Sequence, residues 1–280
     1  NKVEEGDFRF CGREYSQQED FSVYVTCKDN TEKILPINFH KGVRKPDDKA
    51  TPAEIAQARS VIGSLAWIAR QTRPDLCYQT SRLQSVVTTA SVKHLVQCNK
   101  VLHEAKATSN VGIYFKSGAF DFEESILISV HDASWANETK IIDDKLFPRR
   151  SQYGRVQCLG HPSMWNGESG AVHFLGWKSG LIKKLCRSTF RAESQGCCYA
   201  MEYGVALRAF LAEVLGLKKR HDTMWEENCA PVKRHLWMTD CQSLHDYINN
   251  PVPAGTEDKR LEIALEGLRE YIWEQADGSL

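Results

Sequence analysis

Between residues 7 and 36 apolar and polar positions alternate loosely, and Phe8, Phe10, Phe21, Val23, Val25 and Ile34 favour short strands around a turn. Residues 41–49 are polar and charged and read as a loop. A helix then opens sharply, because Thr51-Pro52-Ala53-Glu54 has the form of a capping box with proline at the first helical position. Its apolar stripe is Ile55, Ala58, Ile62, Leu65 and Ala69, and Arg73-Pro74 breaks it. Helical spacing resumes from Asp75 to about Ser85 and from about Val92 to Ala107. From residue 111 the pattern changes. Residues 111–115 read as a strand, 126–130 as a buried one, and 157–159 and 172–177 as two more. A long helix from about Thr189 to Leu215 follows, then a strand at His235–Met238 and a short helix from Cys241 to Asn249. A last helix runs from about Asp258 to Glu274 with the stripe Leu261, Leu265, Leu268 and Ile272. Strands followed by interleaved helices predict an α/β domain of roughly 150 residues. The boundary is expected within 116–124, dividing the chain into 1–120 and 121–280.

Two acids stand at matching places in this pattern. Asp132 comes two residues after the run Ile126–Val130, and Asp240 two residues after Leu236-Trp-Met238. Both are expected at or near strand ends, where function gathers. Glu193 is expected in the first turn of the longest helix, where the dipole favours a carboxylate. Each acid alone has a structural explanation, such as capping by Asp240 or an ion pair from Glu193 to Arg191. Together they would repel one another unless protonated or bridged by cations. Magnesium prefers such oxygen ligands, and two ions about 4 Å apart activate water and stabilise the leaving oxygen of a phosphodiester. No Gly-x-Ser-x-Gly nucleophile and no glycine-rich phosphate loop competes with that reading.

Composition narrows the picture a little. In 280 residues, 42% apolar and 26% charged is ordinary globular composition. No stretch approaches the roughly 18 apolar residues of a spanning helix, so no membrane partner is expected. The start at Asn1 and the unstopped helical pattern at the end suggest an excerpt from a longer polypeptide, truncated at its C-terminus. Lys plus Arg equals Asp plus Glu at 36 each, so any basic surface must be local. One such stripe is Lys178, Lys183, Lys184, Arg187 and Arg191, which runs without an acid into the Glu193 helix, with Arg149 and Arg150 as additions. A second, Arg82, Lys93 and Lys100, reads either as a solvated helix face or as a surface facing phosphates. The ten cysteines lack zinc-type spacing and read as reduced core thiols of an intracellular protein.

The order Asp132, Glu193, Asp240 also belongs to a known family. The chain resembles the copia-type (Pseudoviridae) retrotransposon Pol polyprotein over most of its length. Arg59-Ser-Val-Ile-Gly-Ser-Leu-Ala-Trp-Ile-Ala and Thr72-Arg-Pro-Asp-Leu resemble the stretch downstream of the polymerase palm, and Phe10-Cys-Gly12 its Phe-Leu-Gly strand. His131-Asp-Ala-Ser-Trp-Ala136 is similar to Ser-Asp-Ala-Asp-Trp-Ala, and Arg150-Ser-Gln-Tyr-Gly154 to Lys-Ser-Thr-Ser-Gly. Trp177-Lys-Ser with Ser188-Thr-Phe-Arg-Ala-Glu193 resembles Trp-Ser-Ser followed by Ser-Ser-Thr-Glu-Ala-Glu, and Thr239-Asp-Cys-Gln-Ser243 resembles Cys-Asp-Asn-Gln-Ser.

The resemblance implies an RNase H-like fold, a mixed five-stranded sheet flanked by helices, preceded by a mainly helical reverse-transcriptase thumb and connection. It implies two-metal cleavage of the RNA strand of RNA–DNA hybrids, with Mg²⁺, or Mn²⁺ as a substitute, held by Asp132, Glu193 and Asp240. Glu262, in Lys259-Arg-Leu-Glu262, stands where the family's Lys-His-Ile-Asp has its last acid and is the expected fourth ligand. The basic stripe and Arg150 would hold the hybrid, and Ser134, Asn137 or Gln242 would read the 2′-hydroxyl. The implied partners are the hybrid and the upstream palm and fingers of the same polyprotein. The implied location is a cytoplasmic virus-like particle or the nucleus. No Tyr-x-Asp-Asp palm motif occurs, and Asp143-Asp144 is expected in a loop, so the chain is not expected to polymerise DNA. A decayed, hybrid-binding module is the alternative. An integrase-like member of the superfamily is a third, which the thumb-like segment disfavours.

Overall fold

A computed structural model describes residues 6–39, 42, 44–142, 145–216, 234–253, 255–256 and 258–275, leaving aside the side chains of 138–142, 145–149, 274 and 275. The chain divides into two compact units. One contains residues 1–117 with 138–149 and 178–180, and the other 118–137, 150–177 and 181–280.

In the first unit, β1 (Asp7–Phe10), β2 (Arg13–Gln17), β3 (Val23–Thr26) and β4 (Ile113–Phe115) form an antiparallel sheet in that order. Left-handed backbone at Cys11 (φ 48) and Gly12 (φ 78) makes the β1–β2 turn, and a Cβ on Gly12 would press on the Trp67 ring. A short helix, α1 (Lys28–Lys33), follows β3. The capping box at Thr51 is present in both directions at the start of α2 (Pro52–Gln71). Ala58, Ile62, Leu65 and Ala69 of its stripe are buried, joined by Val61 and Ile68. The helical pattern then breaks around a nearly buried guanidinium. Arg73 bonds the Asp75 carboxylate, the Thr108 carbonyl and hydroxyl, and the Ala105 carbonyl. It thereby ties the entrance of α3 (Cys77–Val86) to the end of α4 (Val92–Ala107).

A second sheet, most of whose residues belong to the second unit, has the order β7-β6-β5-β8, formed by β5 (Ile126–Ile142), β6 (Lys145–Gly160), β7 (Val172–Leu181) and β8 (His235–Met238). β5 and β8 are parallel, with Val130 opposite Met238. The long helix α5 (Thr189–Val214) precedes β8, and α6 (Gln242–Asn249) and α7 (Lys259–Gln275) follow it. Cys197 and Cys198 of α5, Leu244 and Ile248 of α6, and Leu265 and Leu268 of α7 make one buried cluster. The described cysteines are unbridged, and all but Cys11 and Cys241 are buried. Among the described residues no helix is long and apolar enough to cross a membrane.

Two expectations change, and one cannot be compared. The sheet has four strands among the described residues, not five. After β8 the apolar positions recur at helical spacing, which leaves no two-residue period to build another strand. β5 does not end near Val130 but runs to Ile142, so Asp132 lies inside a strand. Its backbone there is satisfied by a neighbouring strand, which needs no apolar side chains. Asp143-Asp144 falls outside the described residues.

Candidate metal centre

Asp132 and Asp240 meet through strand register. Val130 pairs with Met238 on parallel neighbours, and each acid follows two residues after that pair, which brings both to the same end of the two strands. Asp240 sits just beyond the end of β8, and Asp132 is carried on by β5. The third acid comes from α5, whose start is fixed by the Ser188 side chain accepting the Arg191 N–H at 3.2 Å. Glu193 is the fifth residue of that helix, past the first turn rather than in it, so its position owes little to the helix dipole. One carboxylate oxygen from each of Asp132, Glu193 and Asp240 lies within 4.8 Å of the other two.

The environment of Glu193 decides what the cluster can hold. It is 4% exposed, whereas both aspartates are exposed. Its Oε1 accepts the Ala133 N–H at 3.2 Å, and its Oε2 is buried with no hydrogen-bond partner. Burial first, then the Asp132 charge, push its carboxyl up to about 7 against the opposing Ala133 N–H. His131 is also buried, and its Nδ1 stands 3.8 Å from Oε2, too far for a hydrogen bond. Burial holds that imidazole down to about 4, so near neutral pH it is uncharged and cannot neutralise Glu193. A buried carboxylate that has one oxygen without a donor and lies beside two exposed carboxylates is the place a divalent cation relieves. All-oxygen donors suit a hard ion rather than zinc or copper.

Glu262 is not part of this group of acids. α7 docks through Leu265 and Leu268, and Asp258 fixes its first turn by capping the Leu261 N–H and pairing with Arg191. This leaves Glu262 half-buried with its Oε1 close to Gly255.

The basic stripe separates into different roles. Lys183, Lys184 and Arg187 are exposed, and Lys178 is exposed on the part of β7 grouped with the first unit. Lys184, Arg187 and Arg191 line a cleft of about 920 Å³ with Lys259 and Arg260, at the N-terminal ends of α5 and α7. Among the described residues Asp258 is the one acid lining it, and it is paired to Arg191. Arg150 is instead committed to the backbone, donating from Nη2 to the Ile182 and Lys183 carbonyls at 2.9 and 2.7 Å. Ser134 is half-buried, two residues from Asp132 on β5, and Asn137 is exposed. The Gln242 amide donates to Asp246 within α6.

Sequence reasoning assigned nothing to His131, Asp258, Lys259 or Arg260. Asp258 had a signal, since an Asp three residues before an apolar helical position is a capping pattern. His131 had none beyond its place beside Asp132. Compared with known proteins, the chain matches no family model, no curated protein and no solved structure.

Proposed function

We propose that the chain is the ribonuclease H part of a copia-type retrotransposon Pol polyprotein, joined to the end of a reverse transcriptase, and that it cleaves the RNA strand of RNA–DNA hybrids with Mg²⁺. The observation that carries this reading is the convergence of Asp132, Glu193 and Asp240, in the chain order of that family, with one buried carboxylate oxygen left without a donor. Bound divalent ions supply Lewis-acid polarisation and a water activated at neutral pH. Asp132 and Asp240 would hold them from the open side, and Glu193 from the buried side. The Ala133 N–H orients the Glu193 carboxylate, and neutral His131 adds no competing positive charge. The cations of the 184–191 and 259–260 segments would bind the hybrid backbone, and Ser134, two residues from Asp132 on β5, would read a 2′-hydroxyl.

A second reading, a module that binds the hybrid without cutting it, is favoured by one observation. Glu262 is not among the acids whose oxygens lie within 4.8 Å of one another, so a fourth ligand is not gathered with the other three. One experiment separates the two. Purified protein is incubated with a labelled RNA–DNA hybrid and Mg²⁺, beside Asp132→Asn. Cutting of the RNA strand alone, lost in the variant with hybrid binding retained, is the expected result. Binding without cutting under either Mg²⁺ or Mn²⁺ would establish the second reading instead.

A further inference from the structure

The segment between β7 and α5 has no ladder of its own, yet its backbone is held from two strands. Ile182 is fully buried and donates its N–H to the Ser151 carbonyl at 2.8 Å. Arg150, on β6, reaches two successive carbonyls, those of Ile182 and Lys183. Trp135, on β5, donates its indole N–H to the Cys186 carbonyl at 3.0 Å, although the residue is 42% exposed. Below these bonds, Ile182 and Cys186 pack with Ala133, Tyr153 and Ala192. Two members of that cluster are chain neighbours of metal-centre acids, since Ala133 follows Asp132 and Ala192 precedes Glu193. Ser188, which caps α5, follows two residues after Cys186.

We propose that Trp135 and Arg150 are positioning residues for the carboxylate centre. By fixing the carbonyls of 182, 183 and 186 they set the entry of α5, and so the distance of Glu193 from Asp132. This inference rests on the metal-centre reading above. It also changes the part first expected of Arg150, from a contact to the hybrid into a brace for the backbone. A guanidinium suits that part because Nη2 carries two N–H groups held in one rigid plane and aims them at two successive carbonyls, whereas a lysine ammonium sits on a freely rotating stem. The indole suits it because it has one donor and no acceptor, so it offers the loop a bond that its own peptide groups do not.

The test uses the full chain, with Trp135→Phe, Arg150→Met and Arg150→Lys. Phe keeps an aromatic ring but lacks the indole N–H, and Lys keeps the charge but loses the rigid plane that aims the two Nη2 hydrogens. Three quantities are measured: binding of Mn²⁺ alone by electron paramagnetic resonance, thermal unfolding, and the salt dependence of hybrid binding. Partners of this kind typically cost about 10–100-fold in metal affinity when removed, and a loss at the lower end is expected in all three variants. Unfolding should stay cooperative, and the salt slope of hybrid binding should match the wild type. If Arg150→Met lowers that slope by about 1 while Mn²⁺ binding holds, Arg150 is a phosphate contact and the proposal fails. It fails equally if Trp135→Phe and Arg150→Lys bind Mn²⁺ within about two-fold of the wild type. Either result leaves the metal centre intact. A wild type that binds no Mn²⁺ would overturn the centre and this inference together.

Discussion

Glu193 is asked to be buried and charged at once, and pH exposes the conflict. Its carboxyl is raised from 4.5 to about 7 in the folded chain. The protonated form is therefore the one that folding favours. The associated stability is complete below about 4.5 and is lost as pH rises through 7. His131 has the opposite sign. Its value of about 4 lies below the ordinary 6.5, so its stability is present above 6.5 and is lost on acidification toward 4. The two slopes oppose each other across the same window, and the metal-free wild type should show little net change from this pair. Glu193→Gln removes one of them. Melting curves in chelator should show the variant gaining on the wild type as pH rises from 4.5 to 7, then levelling. A pH-independent difference would mean that the carboxyl is not raised. Metal binding should show the converse, with Mn²⁺ affinity of the wild type increasing through pH 7, because the ion must displace the Glu193 proton. At this scale the sequence was informative about the donors themselves. Asp132 and Asp240 each lie two residues past an apolar run, and that matching offset is what the register makes meaningful. It was silent on the neighbour that matters most, since nothing in His131 as a letter distinguishes a buried neutral ring from a surface cation. Glu262 was expected from the resemblance alone, and it is not among the three grouped acids.

Among the elements, α5 does the most positioning, and it does so with small residues. Gly196, Ala200 and Gly204 recur every fourth residue along it, and all three are buried. A Cβ on Gly196 would sit 3.5 Å from the Ala133 side chain, an ordinary contact. A Cβ on Gly204 would lie 2.4 Å from the His235 ring, and His235 is itself bonded to Ser129 at 2.9 Å. Gly204→Ala should therefore force the helix off β5 and β8, at about 1–3 kcal/mol of overpacking. Better helix propensity returns up to about 1 kcal/mol of that. Gly196→Ala should be neutral or stabilising in the same denaturant titration, and equal effects at the two sites would contradict the close approach. The extent of α5 was readable from its long apolar periodicity, as were the cap and stripe of α2. Two elements were not. The short helix α1 is polar throughout, and it is held by bonds from elsewhere, with Arg9 reaching Asp29 and Asn30. The outer half of β5 mixes polar and apolar residues without a steady alternation, and only its pairing reveals it as strand.

For the molecule as a whole, a formal charge of zero hides an uneven distribution. Within the second unit, one cleft collects Lys184, Arg187, Arg191, Lys259 and Arg260, while the carboxylates gather around Glu193. Lys259 and Arg260 were not expected to take part, because they lie far along the chain from the first stripe and only the docking of α7 brings them to it. Replacing both with alanine should weaken hybrid binding and reduce its slope against log salt by about 0.7–0.9 per lost phosphate contact, leaving Mn²⁺ binding alone. An unchanged slope would remove these two residues from the interface. The parallel register has a different kind of consequence, for how such a site is lost or kept as sequences change. The pairing that leads to Asp132 and Asp240 is a matter of counting residues in two strands, and each step reverses the face. Chain length can drift upstream of β8 without touching it. One residue inserted or deleted within His235–Met238 shifts that register by one step and turns the end of β8 to the opposite face just before Asp240. Substitutions wear the centre down by degrees, whereas a single codon gained or lost in that short stretch resets the approach of the second carboxylate at once.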